Sequence, residues 1–291
     1  MPVSTPARPL IDTLERAGVF DAPAQTIGKK VRKLVGAEPL KDFISGTWLG
    51  HPVHPPLTDV VIGSLWSASL LDLLAPRAGR PAAQRLIAVG IAATAPTAIT
   101  GLSDWADTEL SDDGVRRVGL VHAAGNIFAV LLYCASLIAR RRGAHRKGAV
   151  LALAGAATLG GSGYLGGHMA YVRGVGINQT AFDPGPDDWT GVETKVDVTE
   201  GQPHSVDVGD TPVFLARHDG RMYALHDRCS HRGCLLSDGE LNGHVITCSC
   251  HGSRFDIRDG TVLQGPAVVG QPALDVREAD GRIEVRRVTR G

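Results

Sequence analysis

The apolar and polar positions of this chain fall into two unlike halves. Four apolar segments follow one another at 57–75, 84–103, 118–139 and 149–172, separated by short charged connections. Each is close to the ~20 residues that cross a hydrocarbon core as a helix. Asp59 and Asp72 interrupt the first, and none is strongly hydrophobic. A soluble helical bundle is the competing reading, but four such spans in series favour a membrane. In the fourth, Gly155, Gly160, Gly163 and Gly167 would let neighbouring helices approach closely. From residue 192 the period changes. Short apolar runs such as PVFLAR, RMYALH, HVITC and RIEVRRV are separated by Asp219-Gly220, Asn242-Gly243, Asp259-Gly260 and Asp280-Gly281, which are tight-turn dipeptides. This pattern predicts antiparallel strands in a sandwich or barrel.

The expected fold class is therefore multidomain: an N-terminal four-helix transmembrane bundle plus a C-terminal all-β antiparallel sandwich. Residues 1–47 form an N-terminal segment, 48–172 the four-helix domain, 173–191 a polar Gly/Pro linker and 192–291 the β domain. Within the first segment, residues 25–36 place Ile27, Val31, Leu34 and Val35 on one helical face, with Lys29, Lys30, Arg32 and Lys33 around it. That reads as a basic amphipathic helix on a membrane surface or as a solvated basic face. The N-terminus shows no cleavable signal pattern.

Charge adds orientation. Arg77, Arg80 and Arg85 lie in the first connection, and Arg140, Arg141, Arg142, Arg146 and Lys147 in the third. The positive-inside bias places both in the cytoplasm and the β domain on the extracytoplasmic face of the cell membrane. Arg141-Arg142, ahead of a modest apolar segment, also fits a twin-arginine export signal. The net formal charge is zero, so no basic excess points to nucleic acid. The lipid bilayer is the first partner the chain implies.

Four of the five cysteines fall between 229 and 250, beside two histidines. Cys134 lies in an apolar run and reads as a small hydrophobe. The two boxes are Cys229-Ser-His231-Arg-Gly-Cys234 and Cys248-Ser-Cys250-His251-Gly-Ser253. Each loop offers a thiolate and an imidazole, a set that suits a diiron cluster with two sulfur and two nitrogen ligands. Tetrahedral zinc is the alternative, although finger-type zinc sites keep like ligands adjacent.

These boxes resemble those of the Rieske [2Fe–2S] family, over about 195–288. The resemblance implies a [2Fe–2S] cofactor with Cys229 and Cys248 on the buried iron and His231 and His251 on the outer one. Gly265-Pro266-Ala267 resembles the loop that covers the cluster. Cys234 and Cys250 resemble the paired cysteines of Rieske proteins in cytochrome bc and b6f complexes, where a disulfide links the loops. Ser253 matches a hydroxyl that hydrogen-bonds a bridging sulfide in the high-potential subtype. Phe255 departs from that subtype, which has a tyrosine donor there. Fewer donors to sulfur imply a potential below the bc-complex members, yet far above the roughly −400 mV of all-cysteine clusters.

The first half resembles an uncharacterised bacterial four-helix membrane domain over about 48–178, through His51-Pro-x-His54-Pro and a last span ending Gly-Gly-His168-Met-Ala-Tyr171. His51, His54, His122 and His168 fall at one end of an up-down bundle. They suggest a haem, metal or quinol site, or else interfacial histidines that bond headgroups, water or loop carbonyls. The function expected is a membrane-anchored Rieske electron carrier, an oxidoreductase component rather than a stand-alone catalyst. Its partner would be a quinol or another redox protein. An electron donor to an oxygenase and a redox sensor are the alternatives. The chain is too short to add a mononuclear-iron oxygenase domain, and no feature names an oligomeric state.

Overall fold

The computed structural model describes residues 8–36, 38–192, 196–279 and 281–288. The ends of the expected terminal segments and Asp280 of the last turn dipeptide lie outside the described residues. The chain divides into two compact units: Met1–Ala37 with Val53–Val175, and Glu38–Pro52 with Gly176–Gly291.

In the first unit, α1 (Arg8–Arg16) and α2 (Asp21–Val35) precede the long helices α4 (His54–Leu74), α5 (Arg80–Thr108), α6 (Asp113–Arg141) and α7 (His145–Tyr171). The intervening short helix α3 (Leu40–Ser45) belongs to the second unit. Prolines in the first turns of α4 and α5 suit positions whose N–H groups have no helical acceptor. Asp112 caps α6 by accepting from the Val115 N–H at 2.9 Å. The long helices have 21, 29, 29 and 27 residues. All four are long and apolar enough to cross a membrane.

Neighbours in sequence pack together, and α7 closes back on α4. The ring surrounds Leu65, Ile87, Ala129, Tyr133, Ala152 and Leu159. Buried Tyr133 packs on Gly155, where an added Cβ would come within 2.9 Å of its ring. Its hydroxyl lies 2.9 Å from Ser69 Oγ and donates to the Leu65 carbonyl at 3.1 Å. Asp72, which breaks the apolar pattern of α4, is paired with buried Arg140 of α6 (Nη1–Oδ1 2.9 Å). Of the four glycines expected at helix contacts, Gly155 and Gly160 meet neighbouring helices. Nothing outside their own helix stands against Gly163 or Gly167. Gly148 and Gly166 receive Arg140 and His122 instead.

The basic helix exists as α2, but a different stripe is buried. Ala24 and Gly28 face inward and Val31 packs beside Trp105, whereas Ile27 and Leu34 are exposed. The reason is electrostatic. Fully buried Glu109 holds Arg32 at 2.8 Å and Arg116 at 2.9 Å. Gly28 leaves room for that carboxylate, since a Cβ there would lie 2.5 Å from Glu109 Oε1.

The second unit contains two antiparallel sheets. The larger runs β1 (Thr190–Gly191), β10 (Arg282–Arg287), β9 (Ala273–Ala279), β4 (Arg221–His226), β3 (Thr211–His218) and β2 (Pro203–Val208). The smaller runs β5 (Glu240–Asn242), β6 (Val245–Thr247), β7 (Arg254–Asp256) and β8 (Val262–Gln264). β3 is buried on both faces. Val213 and Leu215 enter one core with Val206, Leu274 and Val285, while Phe214 and Ala216 enter another with Leu225, Ile246 and Phe255. Its apolar residues are therefore continuous rather than alternating.

The segment expected to be a polar linker is tied into this unit. Gln179 N–H donates to the Ser230 carbonyl at 3.0 Å. Asp183 takes the Thr211 hydroxyl at 2.7 Å and faces buried His226 Nε2 at 2.9 Å. Residues 38–52, expected to divide between the N-terminal segment and the bundle, also fold with the β unit.

Candidate metal centre

Two loops of similar build carry the expected ligand residues. In the first, Cys229 N–H donates to the Cys234 carbonyl and Gly233 N–H to the Cys229 carbonyl, both at 2.8 Å. In the second, Cys248 N–H donates to the Ser253 carbonyl at 2.8 Å and Gly252 N–H to the Cys248 carbonyl at 3.1 Å. Gly233 and Gly252 turn each loop with φ of 79° and 77°, a left-handed conformation that favours glycine. A disulfide joins Cys234 to Cys250, one cysteine from each loop.

The four expected ligands come together. Cys229 and Cys248 are buried, each 2% exposed, and their thiols hydrogen-bond one another. That contact and burial push the Cys229 thiol up. The same contact, with N–H groups of Cys250 and His251, pulls the Cys248 thiol down to about 6. The N–H groups of His231 and Arg232 point at Cys229 sulfur in the same way. Backbone donors aimed at both sulfurs favour thiolates, the form that binds iron.

The rings of His231 and His251 stand 5.0 Å apart and nearly perpendicular, at 84°. Burial, then the neighbouring His251, Lys41 and Arg232, hold His231 well below its ordinary titration range, hence as neutral imidazole. Its Nδ1 is buried with no hydrogen-bond partner. Such an orphaned lone pair fits a metal ligand.

The spread of ligands separates a diiron cluster from zinc. One zinc ion gathers its ligand atoms at about 2.0–2.3 Å. Among the described residues, the group of three or more ligating side chains whose atoms all lie within 4.8 Å of one another is His218, Asp219 and His244. The Cys–His set is more open than that, as thiolates on one iron and imidazoles on another require. The residues therefore fit a [2Fe–2S] cluster, which supplies one-electron chemistry.

Supports around the loops were not legible beforehand. Gln271 is buried and clamps the first loop: its Oε1 accepts the Ser230 N–H at 2.7 Å, and its Nε2 donates to the His226 and Arg228 carbonyls at 3.0 Å each. Ser230 Oγ donates to the Val269 carbonyl at 2.8 Å. Asp227 accepts from Ser205 Oγ, Ser237 Oγ and Ser237 N–H. Lone Gln, Ser and Asp residues carry no motif. Ser253 Oγ accepts the Ala267 N–H at 3.0 Å, which leaves its own hydroxyl hydrogen for another acceptor. Phe255 is fully buried in the core beside the cysteines.

The cover loop is held from its other side by residues 38–52. Asp42 Oδ1 accepts the Gly265 N–H, Thr47 Oγ1 donates to the Ala267 carbonyl at 3.2 Å, and Gln264 Nε2 reaches Glu38 at 3.1 Å. Lys41, in the same segment, is buried and contributes its charge at His231.

Each of the four histidines of the expected second redox site has a local hydrogen-bond partner. His54 Nδ1 lies 3.0 Å from the Thr97 carbonyl, and its ring fills the space beside Gly101. His122 has the Ser162 carbonyl at Nδ1 (2.7 Å) and Asn126 at Nε2 (3.0 Å). His168 Nε2 meets Glu15 at 2.8 Å, and His51 Nδ1 meets the carbonyl of Pro52 at 2.9 Å. At least one nitrogen of each ring is thus engaged locally, and these contacts lend the haem expectation no support.

Comparison with known proteins divides the chain in the same sense. A profile described as the Rieske [2Fe-2S] domain matches residues 188–276, and one described as a predicted membrane protein (DUF2231) matches 50–179. Sulredoxin of Sulfurisphaera tokodaii is 33% identical over 89 residues, 28% of this chain and 82% of the relative. The anthranilate 1,2-dioxygenase ferredoxin subunit of Burkholderia cepacia is 31% identical over 87 residues, 30% of this chain and 81% of the relative. The cytochrome b6-f complex iron-sulfur subunit of Chlorobaculum tepidum is 32% identical over 89 residues, 31% of this chain and about half (48%) of that subunit. The helical unit, with four apolar spans and a membrane-protein profile, makes this a multi-pass membrane protein. Through the unit that carries the two ligand loops, the chain belongs to the Rieske [2Fe–2S] family of electron-transfer proteins.

Proposed function

We propose that this protein is a membrane-anchored Rieske electron carrier that accepts electrons from quinol, with Cys229, His231, Cys248 and His251 as its iron ligands. The observation that carries the reading is the pairing of two adjacent imidazoles, that of His231 held neutral, with a disulfide-braced shell in a chain with four membrane spans. Quinol oxidation releases a proton with each electron. A cluster-bound His231 or His251 whose second ring nitrogen has lost its proton would accept the hydroxyl proton at that nitrogen, while the electron would pass to the centre. Neutral histidine ligands place such centres at about −150 to +300 mV, high enough to accept from quinols. Similarity to a cytochrome b6-f iron-sulfur subunit supports this reading.

The disulfide suits an oxidising compartment. With the arginine-rich first and third connections, it supports an extracytoplasmic position for the β unit in the cell membrane. Similarity to a dioxygenase ferredoxin subunit favours a second reading, in which the chain passes electrons to an oxygenase.

The test uses the whole chain in membranes. Addition of a water-insoluble quinol is expected to bring up the electron paramagnetic resonance signal of the reduced Rieske centre. Reduction by dithionite with none by quinol would overturn the quinol reading and leave the oxygenase donor.

A further inference from the structure

We propose that His218, Asp219 and His244 form a second metal site, which binds one Zn²⁺ ion apart from the iron centre. One ligand atom from each of the three lies within 4.8 Å of those of the other two. The imidazole rings of His218 and His244 stand 4.5 Å apart at 89°. His218 is the last residue of β3, Asp219 opens the β3–β4 turn, and His244 sits in the β5–β6 turn. Asp219 adopts φ +52°, a conformation Asp accepts more readily than most residues.

A ligating imidazole commonly has its second nitrogen held by another group, and a polar group stands near each ring. His218 Nε2 is 3.7 Å from Asp219 Oδ2, while its Nδ1 is 3.8 Å from Glu200 Oε1. Glu200 is itself fixed by the turn, since it accepts the Asp219 N–H at 2.6 Å and the Gly220 N–H at 3.4 Å. His244 Nε2 lies 3.3 Å from Tyr223 Oη. This leaves His218 Nε2, His244 Nδ1 and an Asp219 oxygen to converge on the ion. Two imidazoles and a carboxylate suit zinc, with water completing the tetrahedron on the exposed side. The charges of Asp219 and Glu200 offset that of the cation.

The site has a structural consequence. It joins a hairpin tip of the large sheet to a hairpin tip of the small one. The three residues of β6 separate His244 from Cys248, and β4 separates Asp219 from Cys229. The zinc site therefore lies on the order of 13–20 Å from the cluster ligands, too far to share them.

The test is equilibrium dialysis of the whole detergent-solubilised protein against micromolar Zn²⁺ after chelator treatment. Iron content and the Rieske resonance signal show that the cluster is intact. One zinc per chain is expected beyond the two irons, together with a higher melting temperature for the β unit. His218→Ala and His244→Ala are each expected to weaken zinc binding by more than about 100-fold, and Glu200→Gln by about tenfold. Asp219→Asn, at an exposed turn position, decides the matter if a histidine variant fails to fold; it should weaken binding at least about tenfold. Zinc uptake below one per chain in the wild type, or unchanged affinity in variants that keep the Rieske signal, would overturn the proposal.

Discussion

Asp42 Oδ1 accepts the backbone N–H of Gly265 at 2.6 Å, although 222 residues of chain lie between the two in sequence. Any side chain at 265 would collide with this contact, because a Cβ there would lie 3.0 Å from Asp42 Oδ1 and 2.3 Å from Thr47 Oγ1. The loop over the metal centre is thus held between Ser253 on its inner side and residues 42 and 47 on the other.

Asp42→Ala should loosen that loop. A hydrogen bond to a charged acceptor contributes about 1.5–3 kcal/mol, so exchange of the Gly265 amide should rise by about 10- to 100-fold. Iron loss to a chelator should also quicken. Amide hydrogen exchange on the assembled protein reads the first effect, and unchanged exchange at Gly265 would refute it.

Ser253 and Phe255 should move the potential in opposite directions. A hydrogen bond donated toward cluster sulfur favours the reduced state, which carries more negative charge. Ser253→Ala removes a hydroxyl donor and should lower the potential by on the order of 50 mV, since a tenfold change in equilibrium is about 60 mV for one electron. Phe255→Tyr adds a hydroxyl in the buried shell and should raise it. Protein-film voltammetry checks both signs.

Arg140→Met should be among the most damaging changes in the bundle. Asp72 and Arg140 have side-chain exposures of 6% and 1%, so removal of the guanidinium strands a buried carboxylate. The expected loss is about 3–5 kcal/mol. Asp72→Leu combined with Arg140→Met should recover most of it, because both charges then leave together. Thermal unfolding in detergent, with a double-mutant cycle, measures the difference.

Acid should weaken the attachment of α1. The Arg173 hydrogen bond holds Glu15 below its ordinary value of 4.5, with burial opposing and His168 assisting. A carboxylate with a depressed folded pKa contributes stability above its unfolded pKa and loses it as pH falls through the folded one. The loss should therefore begin below about pH 4.5. Glu15→Gln should flatten that acid limb and cost about 1 kcal/mol at neutral pH. Denaturant melts across the range check the slope.

Much of this protein follows from residues that are neighbours in sequence. Apolar runs near 20 residues long mark the four spans, Asn-Gly and Asp-Gly mark the hairpins, and Cys-x-His with Cys-x-x-His marks the two ligand loops. Each signal is local, so one linear reading recovers the helices and strands and points to the candidate metal-binding boxes. Tertiary structure alone decided the pairings. Asp72 reads as a flaw in a span until Arg140 is seen beside it, and α2 reads as amphipathic about Ile27 until Glu109 draws Arg32 inward. The four histidines of the bundle region look convergent in sequence, yet each finds its own hydrogen bond. Residues 38–52 belong with a unit that resumes at residue 176, and His218 meets His244 across two sheets. The physical reason is common to all of these. Buried charges and polar atoms must be satisfied by whatever group packing brings near, and that choice is made across the fold, at sequence distances over which no periodicity survives.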